Sequence, residues 1–194
     1  MNKSILAGIM ISLGCIIYLI VGGPIGAVLF SIGLISVVTF KLELFTGKAG
    51  LLATNEIKPI ELGIIWIGNF IGTMGTAMIA SMLPKGKEIA EAALEIVRVR
   101  AEQDALTNLL LGVFCGIAMY IAVAGFAKTG NYLFCILPVV FFILCGFNHC
   151  VADMFYTATV PITSWRQWAH LLPTTIGNII GTNLIPLIQQ DSLF

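Results

Sequence analysis

His149 sits in the stretch Cys145 to Tyr156, CGFNHCVADMFY, at the end of an apolar run with no Asp, Glu, Lys or Arg between Thr129 and Ala152. That run puts an imidazole at membrane depth, where a fully charged side chain costs about 2.5–3.5 kcal/mol on insertion scales. A neutral ring hydrogen-bonded inside a helix bundle is the plain structural reading. An ionisable residue inside a membrane is by default a functional one. With an ordinary pKa of about 6.5, an imidazole is recharged by small changes around it, which suits it to handling a proton or an anion. Asp153 lies four residues on and shares one helical face with His149 if the helix is unbroken there.

A second polar segment, KLELFTGK from Lys41 to Lys48, follows an apolar run that starts after Pro24. About 16 residues at 1.5 Å each reach roughly 24 Å, less than the ~30 Å hydrocarbon layer. Lys41, Glu43 and Thr46 must therefore face protein or water, and Gly47 and Gly50 mark where the helix is expected to break. Two readings of Lys41 stand open. One has it raising the local concentration of anions; the other has it paired with Glu43 or Asp153 in a low-dielectric region.

The elements that position these residues follow from composition. The chain of 194 residues is 58% hydrophobic and only 10% charged, against roughly 25% charged in a soluble domain. Charge-free stretches run from Ser4 to Phe40, Leu62 to Pro84, Ala105 to Ala127, Thr129 to Ala152 and Gln167 to Gln190, and a helical span needs about 20 residues. Gly22-Gly23-Pro24 divides the first stretch in two, giving six crossings in an all-α membrane protein. The N-terminal run is read as helix one and not as a cleaved signal, since it is long enough to span. Almost nothing remains outside the bilayer, which excludes a soluble catalytic or nucleotide-binding domain. With zero net charge and no basic patch, a nucleic acid partner is excluded as well. Cys15, Cys115, Cys135, Cys145 and Cys150 lack metal-ligand spacing and read as packing residues, so no metal or cofactor is expected. Residues 85–104 read as an amphipathic helix at the interface or as a solvated connector. Trp165, Trp168 and His170 suit the membrane interface, and His170 is given no chemistry.

The third helix contains IGNFIGT, Ile67 to Thr73, and the sixth IGNIIGT, Ile176 to Thr182, identical at six of seven positions. Each follows a helix that ends in a polar interruption. The chain therefore reads as a single transmembrane domain, residues 1–194, made of two three-helix halves at about 1–84 and 105–190. An odd number of crossings separates equivalent points, so the halves have opposite orientations: an inverted 3+3 repeat with helices two and five broken. Sites in such proteins lie near the midplane, at the interrupted helices. Asn69 and Asn178, at matching places in the repeat, are expected to support the site as polar residues beside Glu43 and Asp153.

ELFTG, GFNHCVADMF and LLPTTIGNIIGT resemble the LFTG-like, GFEHS-x-ANMF and LIPVTIGNIIGG-like segments of the formate/nitrite transporter family, and the resemblance runs from helix one to helix six. It implies an aquaporin-like protomer with its own pore, five protomers to a ring, in the cell's inner (plasma) membrane with both termini cytoplasmic. Charge alone gives no orientation, because an inward N-terminus leaves basic residues on both sides. By the family's pattern Leu44 and Phe45 line the cytoplasmic constriction, Thr46 faces the pore, Phe30 and Phe142 match the outer constriction, and His149 is the central histidine. The implied substrates are small monovalent anions of weak acids, such as formate, nitrite and hydrosulfide. Asn148 replaces the usual acid before the histidine, Asp153 replaces the ANMF asparagine, Gly116 stands for an asparagine of helix four, and Lys41 occupies a usually small, neutral position. The family usually places a helix before the first span and a longer C-terminal tail, neither of which these residues contain.

An anion loses hydration that Leu and Phe cannot replace, whereas its neutral conjugate acid crosses an apolar constriction easily. The expected mechanism is an anion held by Thr46, backbone N–H groups and His149 that passes as the acid or with a proton beside it. Whether His149 or water supplies the proton is left open by the sequence. A neutral-solute channel of aquaporin type is the competing transport reading, although paired Asn-Pro-Ala loops are absent. A non-conducting membrane scaffold or sensor is the competing reading from another class.

Overall fold

The computed structural model describes residues 1–161 and 165–189. Its helices are α1 (Asn2–Val21), α2 (Gly23–Phe30), α3 (Ile32–Thr39), α4 (Phe45–Lys48), α5 (Pro59–Ser81), α6 (Gly86–Glu102), α7 (Ala105–Thr129), α8 (Leu133–Leu144), α9 (Cys150–Thr159), α10 (Arg166–Ala169) and α11 (Leu171–Gln189), with a 3-10 turn at Ala49–Leu52 after α4. Helices α1, α5 and α7, and α10 with α11, are long and apolar enough to cross a membrane; Gly23–Thr39 and Leu133–Leu144 are shorter apolar segments. The second half of the repeat, expected to end at residue 190, runs one residue past the described segment.

The boundaries follow local chemistry. Gly22 and Gly23 turn the chain between α1 and α2 at φ 67° and 56°, a left-handed conformation open to glycine, and Pro24 suits the first turn of the new helix. Asp104 caps α7 by accepting the Thr107 N–H, and that bond holds its carboxyl below the usual aspartate value. Gly130, at φ 67°, ends α7.

The first interruption departs from expectation. Helix α3 stops at Thr39, upstream of both Gly47 and Gly50, and the residue in the left-handed region is Lys41, at φ 51°. Gly47 lies inside α4 and Gly50 inside the 3-10 turn. Residues 86–102 of the connector form helix α6. Ile89, Ala93 and Val97 are buried along one stripe, so this amphipathic helix packs its apolar face on the bundle. Four cysteines are buried as expected, but Cys145 is exposed at the end of α8.

Backbone contact sets the helix spacing. A Cβ at Gly72 would collide with Ile5 O, and one at Gly181 with Val113 O. Small residues that let backbones touch are the means of association where both lipid and side chains are apolar. Gly116 belongs to this set, since a Cβ there would lie 2.5 Å from Asn178 O. Position 116 faces α11, and the asparagine that α7 brings to the interrupted region is Asn108.

Gly181→Ala is expected to destabilise the protein by about 1–3 kcal/mol or more through overpacking. Thermal unfolding in detergent reads this directly. Gly63→Ala, where a Cβ meets nothing within 4 Å, should unfold like the parent.

Candidate functional site

Where a chain leaves the helical conformation inside a bilayer, its backbone groups need partners from the protein. Two asparagines supply them in the same way. Asn69 Oδ1 accepts the Phe45 N–H at 2.8 Å, and its Nδ2 donates to Ser4 O at 2.7 Å and Glu43 O at 2.9 Å. Asn178 Oδ1 accepts the Cys150 N–H at 2.9 Å, and its Nδ2 donates to Gly112 O at 2.8 Å and Asn148 O at 2.9 Å. Each asparagine thus joins the two sides of one interruption to a neighbouring long helix. Both are fully buried. The residue held between the clamped groups is Leu44 in the first half and His149 in the second, and each is the N-cap residue of the helix that follows.

The two interruptions meet. Thr46 Oγ1 and His149 Nε2 are 2.9 Å apart, and both residues are buried. Nδ1 of His149 accepts the Ala152 N–H at 3.2 Å, capping α9. With Nδ1 acting as acceptor, the neutral ring carries its proton on Nε2 and donates it to Thr46. A doubly protonated ring would set a second N–H against the Ala152 amide, so the cap and the imidazolium exclude each other. The Phe142 ring stacks on the imidazole, centroids 5.6 Å apart, and Phe30 meets Phe142 edge-on at 6.1 Å.

A cavity of about 330 Å³ opens on the His149 side, its wall including Tyr18, Arg100, Phe142, Asn148 and His149. A second, of about 310 Å³, is lined by Lys41, Leu44 and Lys48 with Val123 and Phe126. Asn148 donates to Asn108 Oδ1 at 2.8 Å, and Asn108 and Val123 lie 15 residues apart on α7, about 22 Å along its axis. The cavities therefore occupy opposite ends of α7, with Thr46 and His149 meeting between them. Leu44 is on the wall of the second cavity. Phe45 is buried with its N–H on Asn69 and lines neither cavity, and Phe30 stands behind the first, against Tyr18 and Phe142 of its wall.

The ion-pair reading of Lys41 is corrected. Asp153 is fully buried and takes Arg100, Nη1 to Oδ2 at 2.9 Å, while Glu43 accepts from Ser4 at 3.3 Å. Lys41 is exposed, and among the described residues it makes no ion pair. Asp153 and His149 do share a helical turn, the Asp153 N–H donating to His149 O at 2.9 Å. Arg100 and Asn108 are the residues sequence reasoning passed over. A signal for Arg100 existed: it follows Ile89, Ala93 and Val97 on the apolar stripe of α6, where a charge demands a partner. Asn108 further ties α6 to α7 by donating to Arg100 O at 3.0 Å. His170, assigned to the interface, is buried with neither ring nitrogen partnered among the described residues.

Residues 1–188 match a family described as "Formate/nitrite transporter". The chain is similar to the formate channel FocA of Haemophilus influenzae, 26% identical over 81% of this chain and 69% of that one. It is also similar to the uncharacterized transporter YrhG of Bacillus subtilis, 28% identical over 81% of this chain and 66% of that one. The chain thus spans about two thirds of the length of these relatives. Among solved structures it shares the fold of a pentameric formate channel with formate bound, at a TM-score of 0.81 and 24% identity, covering 97% of this chain and 94% of that one.

Removing either clamp strands the N–H and the carbonyl that flank the interruption, each worth about 1–3 kcal/mol when unsatisfied, and cuts the tie to the neighbouring long helix. Asn69→Ala and Asn178→Ala should therefore each lower the unfolding temperature far more than Asn131→Ala in the exposed α7–α8 turn, and loss of the folded species on gel filtration is the stronger form of the same result.

Proposed function

The chain belongs to the formate/nitrite transporter family, whose members are channels and transporters and not enzymes, and we propose that it conducts small monovalent anions of weak acids, the formate, nitrite and hydrosulfide class, through a pore in each protomer. The observation that carries this reading is the 2.9 Å meeting of Thr46 and His149 between two cavities at opposite ends of the bundle. The proposed fold is six crossings in an inverted 3+3 repeat within one domain. The α2–α3 segment with α4, and α8 with α9, each form one interrupted span; the matching asparagine clamps support this. By analogy with the pentameric formate channel of the same fold, the assembly is a homopentamer. Its place is the inner (plasma) membrane, with both termini cytoplasmic.

In the proposed mechanism Lys41 and Lys48 give the cavity beyond Leu44 a positive potential with no acid on its wall, which concentrates anions there. Leu44 on one side and Phe142 on the other offer no hydrogen bonds, so a bare anion passes poorly and the conjugate acid passes well. The Nε2–H of His149 donates to Thr46 Oγ1, which leaves the Thr46 O–H as the donor offered between these apolar surfaces. Since Nδ1 is engaged in the α9 cap, the ring serves as a fixed donor while the transit proton comes with the substrate from vestibular water. Asn69, Asn178, Glu43 and Asn148 hold the frame, with Phe45 and Phe30 packed behind the walls.

Uptake of formate, nitrite, hydrosulfide and glycerol into proteoliposomes at two pH values tests the class. Anion uptake that rises as pH falls is expected, glycerol permeation without anion flux would indicate a neutral-solute channel, and no flux at all would indicate a scaffold. His149→Ala should abolish pH-linked anion uptake and, through the lost cap, cost about 1 kcal/mol of stability. His149→Asn keeps a capping oxygen and should lose flux with less effect on stability; parental uptake in both variants would refute the role given to the ring. Lys41→Leu should raise the apparent KM for formate roughly threefold or more at low ionic strength, an effect that fades in high salt.

A further inference from the structure

Arg100 is placed as no surface arginine would be. Its side chain is 12% exposed, it lines the cavity that contains His149, and one nitrogen is committed to a carboxylate with no exposed surface. A guanidinium offers five N–H donors in a planar fork, and among the described residues only Nη1 has a side-chain or backbone acceptor. Asp153, for its part, gives Oδ2 to Arg100 and leaves Oδ1 buried with no partner among the described residues. It does not line the cavity; Ala152 and Tyr156 of the same helix do. Arg100 therefore holds a carboxylate that stays off the cavity wall and itself reaches that wall. At about 330 Å³ that cavity admits a small anion together with several waters, each of which occupies about 30 Å³ in the liquid.

We propose that Arg100 is a shared cation, with Asp153 on one edge of the guanidinium and a small monovalent anion taking the free donors on the other, so that Asp153 is a resident competitor limiting how tightly the anion is held. This rests on the reading of the chain as an anion conductor. The physical need is that conduction requires binding favourable enough to enter and weak enough to leave. An unopposed arginine facing a half-dry cavity would hold a carboxylate by charge-assisted, bidentate bonds and release it slowly. A second negative charge on the same guanidinium repels the first and withdraws part of the cation's field. Because Asp153 is one turn from His149 on α9, the competitor and the ring are fixed relative to each other. Glu95 also lines this cavity, but it is exposed, so water screens it and it cannot serve in the same way.

The test measures formate binding to detergent-purified protein by calorimetry, alongside uptake in proteoliposomes. Asp153→Asn should tighten the formate Kd by about tenfold, the scale of one charge-assisted contact regained, and lower the maximal uptake rate. Glu95→Gln should leave Kd within about twofold of the parent. Formate bound no more tightly by Asp153→Asn than by the parent, undetectable binding included, overturns the proposal and leaves the pair a structural one. If Asp153→Asn does not fold, the doubly neutral Arg100→Gln, Asp153→Asn protein decides: weaker formate binding than the parent supports the shared cation, and an unchanged Kd overturns it. Tighter binding by Asp153→Asn in a protein that conducts no anion would sink the transport reading while leaving this one standing. Normal uptake with an unaltered Kd would do the reverse.

Discussion

Where helices end inside a packed bundle, amides and carbonyls are left that apolar neighbours cannot satisfy, and the whole arrangement depends on how two asparagines answer that constraint. Each uses one acceptor and two donors, which is all an amide side chain needs to bridge both sides of an interruption and one carbonyl of an adjacent helix. The clamps work only because the helices carrying them touch their neighbours backbone to backbone, through Gly8 and Gly72 in one half and Gly116 and Gly181 in the other. A methyl group at those positions would push the amide out of reach. Packing by glycine and bonding by asparagine are thus one device.

The same device is used twice and presents different chemistry each time. Between the clamped groups stands an alkyl side chain, Leu44, in one half and an imidazole, His149, in the other. The next residue but one is Thr46 in the first half, and it bonds the ring across the bundle. Polar support is likewise unequal. One end carries a buried network that runs from Asp153 through Arg100 and Asn108 to Asn148, and the other carries Lys41 and Lys48 against apolar walls. A nearly symmetric frame therefore yields a strongly directional interior.

Much of this was legible in the sequence, for stated reasons. Charge-free stretches marked the long helices, the repeated IGN-x-IGT heptads marked both clamps, and an isolated histidine in an apolar run marked the interior. The position of the first interruption was not legible, because glycine was expected to supply the unusual backbone conformation and Lys41 does so instead. The partner of Asp153 was missed because the charge that meets it comes from another helix, 53 residues away in sequence, and local spacing says nothing about such pairs. From the sequence, position 116 reads as a missing polar group, whereas its role is set by a carbonyl of α11 that only the folded chain brings near.

The rings of Tyr18, Phe30, Phe142 and His149 stand in succession, with centroids 6.4, 6.1 and 5.6 Å apart, the first two contacts edge-on and the last nearly parallel. Such a column has little slack. Tilting the imidazole would press on Phe142, and through it on Phe30 and Tyr18 near the end of the first helix, so widening the passage would call for several rings to move in concert and not one side chain to swing. Throughput would then be governed by how often that stack loosens, and a mutation far from the histidine, at Tyr18, would be felt as a change in tempo before it is felt as a change in selectivity.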